Sequence, residues 1–200
     1  MSHISRYVTA GAAAAMLMVL TTACGDDQRT GSSPVSVSAV ATNGSSATTP
    51  ESEPPPTDAI AKTGEPSRDS AVTVTDLRIG HHDGYDRVVY EFGGKGTPGF
   101  HVKYVEKAVQ DASGKDLPVQ GRSILEVLIP GSAYPFDSGV EEYSGPDPLT
   151  EPTATAVAEV QLATLFEGVT QSFIGVESDK PPFRVEVLSN PTRLVVDVAN

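Results

Sequence analysis

The distribution of apolar and polar side chains divides the chain into three zones. A continuous run of small and apolar residues covers positions 10–20. Residues 25–70 are mainly Ser, Thr, Pro, Gly, Ala and acids, with almost no large apolar side chain. From residue 71 to 200, short apolar runs with a period of two alternate with Gly, Pro, Asp and Asn. This period is typical of β-strands, because successive side chains in a strand point to opposite faces of the sheet.

The alternation in the third zone predicts a series of short strands separated by turns. In the first strand the apolar phase changes between Val74 and Leu77, which indicates a bulge near Asp76. His81 to Gly84 has the composition of a turn. Tyr104 to Ala112 permits a short helix, although Val102-Lys103-Tyr104-Val105 favours a strand. The predicted strands cover residues 72–79, 87–92, 100–104, 124–129, 157–164, 170–176, 183–187 and 193–198.

The last two strands predict a hairpin with a defined register. Ser189-Asn190-Pro191-Thr192 between them is strong turn chemistry. If Ser189 faces Thr192, the apolar residues of one strand all face apolar residues of the other. The predicted pairs are Val187 with Leu194, Val185 with Val196, Phe183 with Val198 and, on the outer face, Arg184 with Asp197. A shift by one residue would place apolar side chains against charged ones.

No stretch of ten or more residues has clear helical periodicity. The sequence therefore predicts an all-β fold, an antiparallel β-sandwich or open barrel of about seven to nine short strands. We expect this domain to cover residues 71–200 and a disordered linker to precede it.

The N-terminal apolar run ends in Leu20-Thr21-Thr22-Ala23-Cys24-Gly25. It is too short to span a bilayer, which takes roughly 20 apolar residues, and has the length of a signal-peptide core. The segment resembles a bacterial lipoprotein signal, although Thr21 stands where that family usually has Leu. The resemblance implies cleavage after residue 23, a diacylglycerol on Cys24 and attachment to the outer face of the cell membrane.

Cys24 is the single cysteine of the chain. An odd cysteine in an exported protein needs an explanation, and lipidation supplies one. The alternatives are an ordinary secreted protein cut near Ala23 and an uncleaved anchor. Mass spectrometry of the mature N-terminus distinguishes the three.

Residues 25–70 have too few large apolar side chains to offset the entropy of an ordered chain. We therefore expect residues 24–70 to form a lipid anchor and a disordered linker, which as a flexible chain spans roughly 35–40 Å. Its Ser and Thr residues near Pro also resemble an O-glycosylated stalk.

The charge of the chain disfavours several classes of partner. Removal of residues 1–23 takes away Arg6 and no acidic residue. The remaining chain has 13 of the 14 basic side chains and all 26 acidic ones, which gives a net charge of −13. Nucleic acid and anionic lipid surfaces both attract Lys and Arg. We expect no nucleic-acid partner, and contact with the membrane only through the lipid.

No residue pattern in the sequence specifies a reaction. His81, His82 and Asp83 are adjacent and would point apart, which makes them poor ligands for one metal. Ser132 follows a glycine but lacks a G-x-S-x-G context. Glu141 with Glu142, or Asp137 with Asp147, are the carboxylate pairs that a glycan hydrolase would need. We therefore expect that the protein is not an enzyme, and that it has no catalytic residues, no metal site and no cofactor.

The segment from Pro130 to Thr155 is the candidate binding region. Long connections without regular structure are uncommon and often bind ligands. It carries Tyr134, Phe136 and Tyr143 among several acids, and exposed aromatic rings suit sugars or a protein partner. The alternative is a surface loop whose aromatic rings pack on the sheets.

The runs Tyr85–Phe92 and Pro191–Val198, at the start and end of a series of short strands, resemble an AMIN-type domain. With the signal and linker, the layout resembles the AMIN-like lipoproteins of actinobacteria. The resemblance implies a non-catalytic β-sandwich that binds peptidoglycan or an envelope protein. The alternatives are a carrier of a lipid or small hydrophobic ligand in a sandwich cavity and a glycan hydrolase that uses the loop carboxylates. Oligomeric state is left open.

Overall fold

The structure is a computed structural model that describes residues 53–200. Nine strands and one short helix form in this part of the chain: β1 Lys62–Gly64, β2 Ala71–His82, β3 Tyr85–Lys95, β4 Phe100–Val105, β5 Ser123–Pro130, α1 Pro135–Ser138, β6 Val157–Phe166, β7 Val169–Val176, β8 Phe183–Leu188 and β9 Thr192–Ala199. Within residues 53–200, no helix is long and apolar enough to cross a membrane.

The strands form two antiparallel sheets, which confirms the predicted all-β sandwich. Sheet A has the order β1-β4-β5-β7-β6, and sheet B has the order β2-β3-β9-β8. The inward-facing apolar side chains of both sheets fill the space between them. The largest fully buried members of this core are Tyr90, Phe183, Leu125, Ile129, Ile174 and Leu194.

The β8–β9 hairpin has the predicted register. Phe183 pairs with Val198, Val185 with Val196, Val187 with Leu194 and Arg184 with Asp197. The predicted bulge is also present, because the pairing of β2 with β3 shifts between Val74 and Asp76.

The structure corrects the predicted turn at His81 and decides the conformation of the chain after Tyr104. The turn does not begin at His81, because β2 continues to His82 and pairs with Tyr85 of β3. The reversal is confined to Asp83 and Gly84, and Gly84 supplies the positive φ of 88°. After Tyr104 the chain leaves the sheet at Val105 and does not form a helix.

The predicted boundary between linker and domain was also wrong. Strand β1 lies within the predicted disordered linker and pairs with β4 at the edge of sheet A, with Lys62 opposite Val102. Main-chain hydrogen bonds to a free sheet edge order this segment, which has little apolar surface to bury. The predicted signal peptide, Cys24 and linker residues up to 52 lie outside the described residues.

The segment between β4 and β5 covers the outer face of sheet A. Phe173 points outward from β7 and is fully buried nonetheless. Next to it, Gln171 donates to the Val109 carbonyl and accepts the Asp111 N–H, at 3.0 and 2.9 Å, which fastens the covering segment to the sheet.

Gly175 of β7 marks the point where this covering segment comes closest to sheet A. A Cβ atom at Gly175 would lie 1.8 Å from the Gln120 carbonyl oxygen. We expect Gly175→Ala to lower the free energy of unfolding by about 1–3 kcal/mol, the usual range for overpacking. Denaturant unfolding checks this.

Gly80→Ala is the matched control, because a Cβ there would meet only the His82 ring, at 3.8 Å. We expect it to be neutral or slightly stabilising, since alanine restricts the unfolded chain. Equal effects of the two substitutions would contradict the close approach of Gln120 to Gly175.

Candidate functional site

The segment from residue 131 to 156 closes one side of the sandwich, between edge strands β2 of sheet B and β6 of sheet A. At its start the Val72 N–H donates to the Gly131 carbonyl, at 3.1 Å, and further on Tyr143 N–H donates to the Val74 carbonyl, at 2.8 Å. Near its end Leu149 exchanges two hydrogen bonds of 2.8 Å with Val160. The segment is therefore an ordered cover that pairs with both edges, rather than a loose loop.

Two of the three predicted aromatic residues form an exposed pair, the aromatic shelf, which consists of Tyr134 and Phe136. Their rings are stacked with centroids 5.3 Å apart and planes within 6°. Pro135 begins helix α1 between them, a position where its missing N–H costs nothing. Tyr134 Oη donates to the Leu165 carbonyl at 2.9 Å, while Phe136 is 81% exposed.

Tyr143, the third predicted aromatic residue, is placed differently. It packs against the core, and its hydroxyl donates to the Pro146 carbonyl at 3.0 Å. Burial, and then the charges of Asp76 and Asp147, raise the pKa of the Tyr143 hydroxyl. Its ring forms a wall of the groove described next and is not part of the shelf.

A surface groove of about 300 Å³ lies beside the shelf, along the free edge of β6. Asp147 lines the groove, and its Oδ1 accepts the Leu162 N–H at 3.1 Å, where a partner strand would otherwise place a carbonyl. Burial raises the pKa of the Asp147 carboxyl. The groove is lined by Thr73, Val74, Ala133, Glu142, Tyr143, Gly145, Asp147, Leu162, Ala163, Thr164, Leu165 and Thr170.

The groove belongs to an acidic part of the domain. The sequence contains no Lys or Arg between Arg122 and Lys180. Glu142 and Asp147 line the groove, whereas Glu141 and Asp137, their proposed partners in a hydrolytic pair, are outside the lining. The groove thus offers hydrogen-bond acceptors to a neutral or cationic ligand and repels anionic ones.

The histidines of the predicted turn have structural contacts. His81 Nδ1 lies 2.7 Å from Oδ1 of the buried Asp86, and His82 stacks on Tyr85 with centroids 4.8 Å apart. Within residues 53–200, no group of three or more His, Cys, Asp or Glu side chains is placed to hold a metal ion. Sequence reasoning missed Asp86, because nothing local distinguishes it from an exposed acid.

Arginines and acids form an ion-pair network on sheet B. Arg87 and Arg184 both bind Asp197, at 2.7 and 2.6 Å, as expected for a paired sheet face. Arg193 instead donates to the Pro191 carbonyl, at 3.2 Å, and Glu91 pairs with Arg78. The two central guanidinium groups are thus only partly exposed.

The described residues define a small antiparallel β-sandwich with a groove and an aromatic shelf along one side. A family model of the AMIN-like domain matches residues 72–200, and the chain belongs to the AMIN-like domain family. Domains of this family are generally peptidoglycan-associated or envelope-binding modules. No curated protein and no solved structure matches the chain.

Proposed function

We propose that this protein is a non-catalytic envelope-binding module that recognises peptidoglycan through the aromatic shelf and the adjoining groove. The observation that carries the proposal is the exposed Tyr134–Phe136 stack beside an acidic groove. The family supports the general role, since AMIN-like domains associate with the cell envelope.

The chemistry of the shelf suits a sugar ring. The face of an aromatic ring is negative and attracts the weakly positive C–H groups of a pyranose face. One face of Phe136 is covered by Tyr134, which leaves the other for a ligand. In the groove the carboxylates of Glu142 and Asp147 are acceptors for hydroxyl and amide hydrogens.

We further propose that the domain is held at the outer face of the cell membrane by a lipid on Cys24. The support is the signal-like sequence that precedes Cys24 and the lack of another cysteine in the chain. The anchor would raise the local concentration of the domain near its ligand, so that modest affinity would suffice.

We expect Phe136→Ala to weaken co-sedimentation of the protein with purified, protein-free peptidoglycan by at least about tenfold, which corresponds to ~1.4 kcal/mol. The side chain is 81% exposed, so its loss should leave the fold intact. Phe136→Tyr keeps the ring face and should bind like the wild type.

Val109→Ala is the matched control, because Val109 is also an exposed apolar residue but lies in the segment that covers sheet A. Wild-type sedimentation of Phe136→Ala would overturn the proposed site. A third result would identify an envelope protein as the ligand. In that case the chain sediments with untreated envelope but not with protein-free peptidoglycan, and Phe136→Ala abolishes the sedimentation with untreated envelope.

A further inference from the structure

Residues 53–58 lie across one end of sheet B, and we call this segment the latch. The Asp58 carbonyl accepts the Phe183 N–H at 2.8 Å, at the start of edge strand β8. Pro56 is buried, and Pro55 packs directly against Gly84 in the turn between β2 and β3. The consecutive prolines favour an extended, stiff conformation, which lowers the entropy lost on docking.

The first residue of the latch, Glu53, has a carboxylate that is bound by two arginines. Arg87 Nη2 lies 2.5 Å from Glu53 Oε2, and Arg184 Nη2 lies 3.6 Å from the same oxygen. Arg184 Nη1 also donates to the Pro54 carbonyl, at 3.0 Å. Arg184 thus contacts both the backbone of the latch, at Pro54, and its carboxylate, at Glu53.

Asp197 and Tyr85 hold the two arginines in place. The buried carboxylate of Asp197 binds both of them, and the Tyr85 ring lies 5.4 Å from the Arg87 guanidinium and 5.9 Å from that of Arg184. Two oriented guanidinium groups over an aromatic face form a carboxylate-binding cleft. Glu53 occupies it.

The latch and the shelf lie at opposite ends of the sandwich. The latch contacts the β2–β3 turn and the first residue of β8. At the other end Val72 pairs with Ser132, just before the shelf, whose Tyr134 reaches the Leu165 carbonyl. Strand β2 runs from Ala71 to His82 between these ends. At about 3.3 Å per residue, this gives a separation on the order of 30 Å.

We propose that the latch fixes the point at which the linker leaves the domain, at the end opposite the aromatic shelf, through the Arg87–Arg184 carboxylate cleft. The shelf then lies at the end of the domain opposite residue 53, where a ligand can reach it. This role rests on the proposed anchor and wall-binding function. The latch lies outside residues 72–200, which the family model matches.

Glu53→Ala in the full chain tests the latch, with Glu65→Ala as the matched control. Glu65 is exposed and outside the cleft. The first readout is hydrogen exchange at Phe183, whose N–H donates to Asp58. We expect at least about fivefold faster exchange in Glu53→Ala than in the wild type, and no change in Glu65→Ala.

The second readout is a distance between spin labels at Thr57→Cys and Asp137→Cys, in full chains that also carry Cys24→Ser. We expect one narrow distribution on the order of 30 Å, which broadens with Glu53→Ala. Arg184→Lys should broaden it too, because lysine keeps the charge near Asp197 but lacks the fork that also reaches Pro54.

Three outcomes would overturn the latch. In the first, Glu53→Ala leaves both the exchange rate at Phe183 and the label distance unchanged. In the second, the label distance is far below the length of β2. In the third, a mixture of chains that each carry one label shows the same dipolar coupling, which means that the distance is measured between two copies of the protein. None of these measurements contains a wall ligand. Failure of the latch therefore leaves the peptidoglycan co-sedimentation result standing, and failure of wall binding leaves the latch standing.

Discussion

Asp86→Ala is expected to lower the free energy of unfolding by about 3–5 kcal/mol, the range for removal of one partner from a buried charged network. Asp86 is fully buried, and its Oδ2 accepts the backbone N–H groups of Thr155, Ala156 and Val157 at 2.7, 2.5 and 3.0 Å. Without the carboxylate, three N–H groups at the start of β6 lose their acceptor, and each buried unsatisfied group is costly.

Asp86 also predicts how stability depends on pH. Burial alone would raise the pKa of Asp86, but the His81 hydrogen bond and the three backbone N–H groups outweigh it, so the pKa is lowered from 3.8. A lowered pKa in the folded state contributes stability above the unfolded pKa. That contribution is lost as the pH falls through the folded pKa. Below about pH 4, stability should therefore decline less steeply in Asp86→Asn than in the wild type.

Chemical denaturation at a series of pH values measures both effects. Asp83→Ala is the matched control, since Asp83 is an exposed acid in the adjacent turn, and should change stability by less than about 0.5 kcal/mol. If Asp86→Ala and Asp83→Ala were equally stable, the carboxylate would not organise the start of β6.

The parts of the fold that could be predicted from the sequence are those whose information is local. Alternation in Phe183–Val187 and Leu194–Val198, with a turn between them, determines the β8–β9 register because a slip would expose one apolar set. The change of phase after Val74 likewise located the bulge in β2.

The parts that could not be predicted depend on contacts between distant segments. Phe173 in β7 looks like an outward residue, and only the cover from the β4–β5 connection buries it. β1 was missed because its order comes from the free edge of β4, and Glu53 because its partners Arg87 and Arg184 are far away in sequence.

The candidate site shows the same division. Tyr134 and Phe136 could be selected from their residue type and their place in a long connection, and the structure brings their rings together. The groove could not be predicted, because it forms where the cover leaves part of β6 unpaired between Leu162 and Leu165. A clue was available in Pro146-Asp147-Pro148, where two prolines fix the chain around the acid.

Asp197→Ala is expected to lower the free energy of unfolding by about 3 kcal/mol, and the midpoint of thermal unfolding by roughly 10 °C. Asp197 is 1% exposed and accepts hydrogen bonds from Arg87 and Arg184 at 2.7, 2.9 and 2.6 Å. The hydrogen bonds that Arg87 donates to Asp197 outweigh the opposing effect of burial and raise the pKa of Arg87. Without Asp197, two half-buried cations would lie side by side.

Calorimetry checks this value, and Glu186→Ala is the control on the same face of sheet B. Glu186 lies 3.7 Å from Arg184 Nε but is 42% exposed, so its loss should cost less than about 0.5 kcal/mol. An equal effect of the two substitutions would show that the buried position of Asp197 adds nothing to its pairing with the arginines.

The same cluster should couple the latch to the fold. Glu53 and Asp197 lie against the same two guanidinium groups, so each carboxylate compensates in part for loss of the other. Glu53→Ala should therefore cost more in the Asp197→Ala background than in the wild type, by about 0.5–1 kcal/mol. A double-mutant cycle on full chains measures this coupling energy. Additivity within about 0.3 kcal/mol would mean that the latch carboxylate does not interact with the arginine pair in solution.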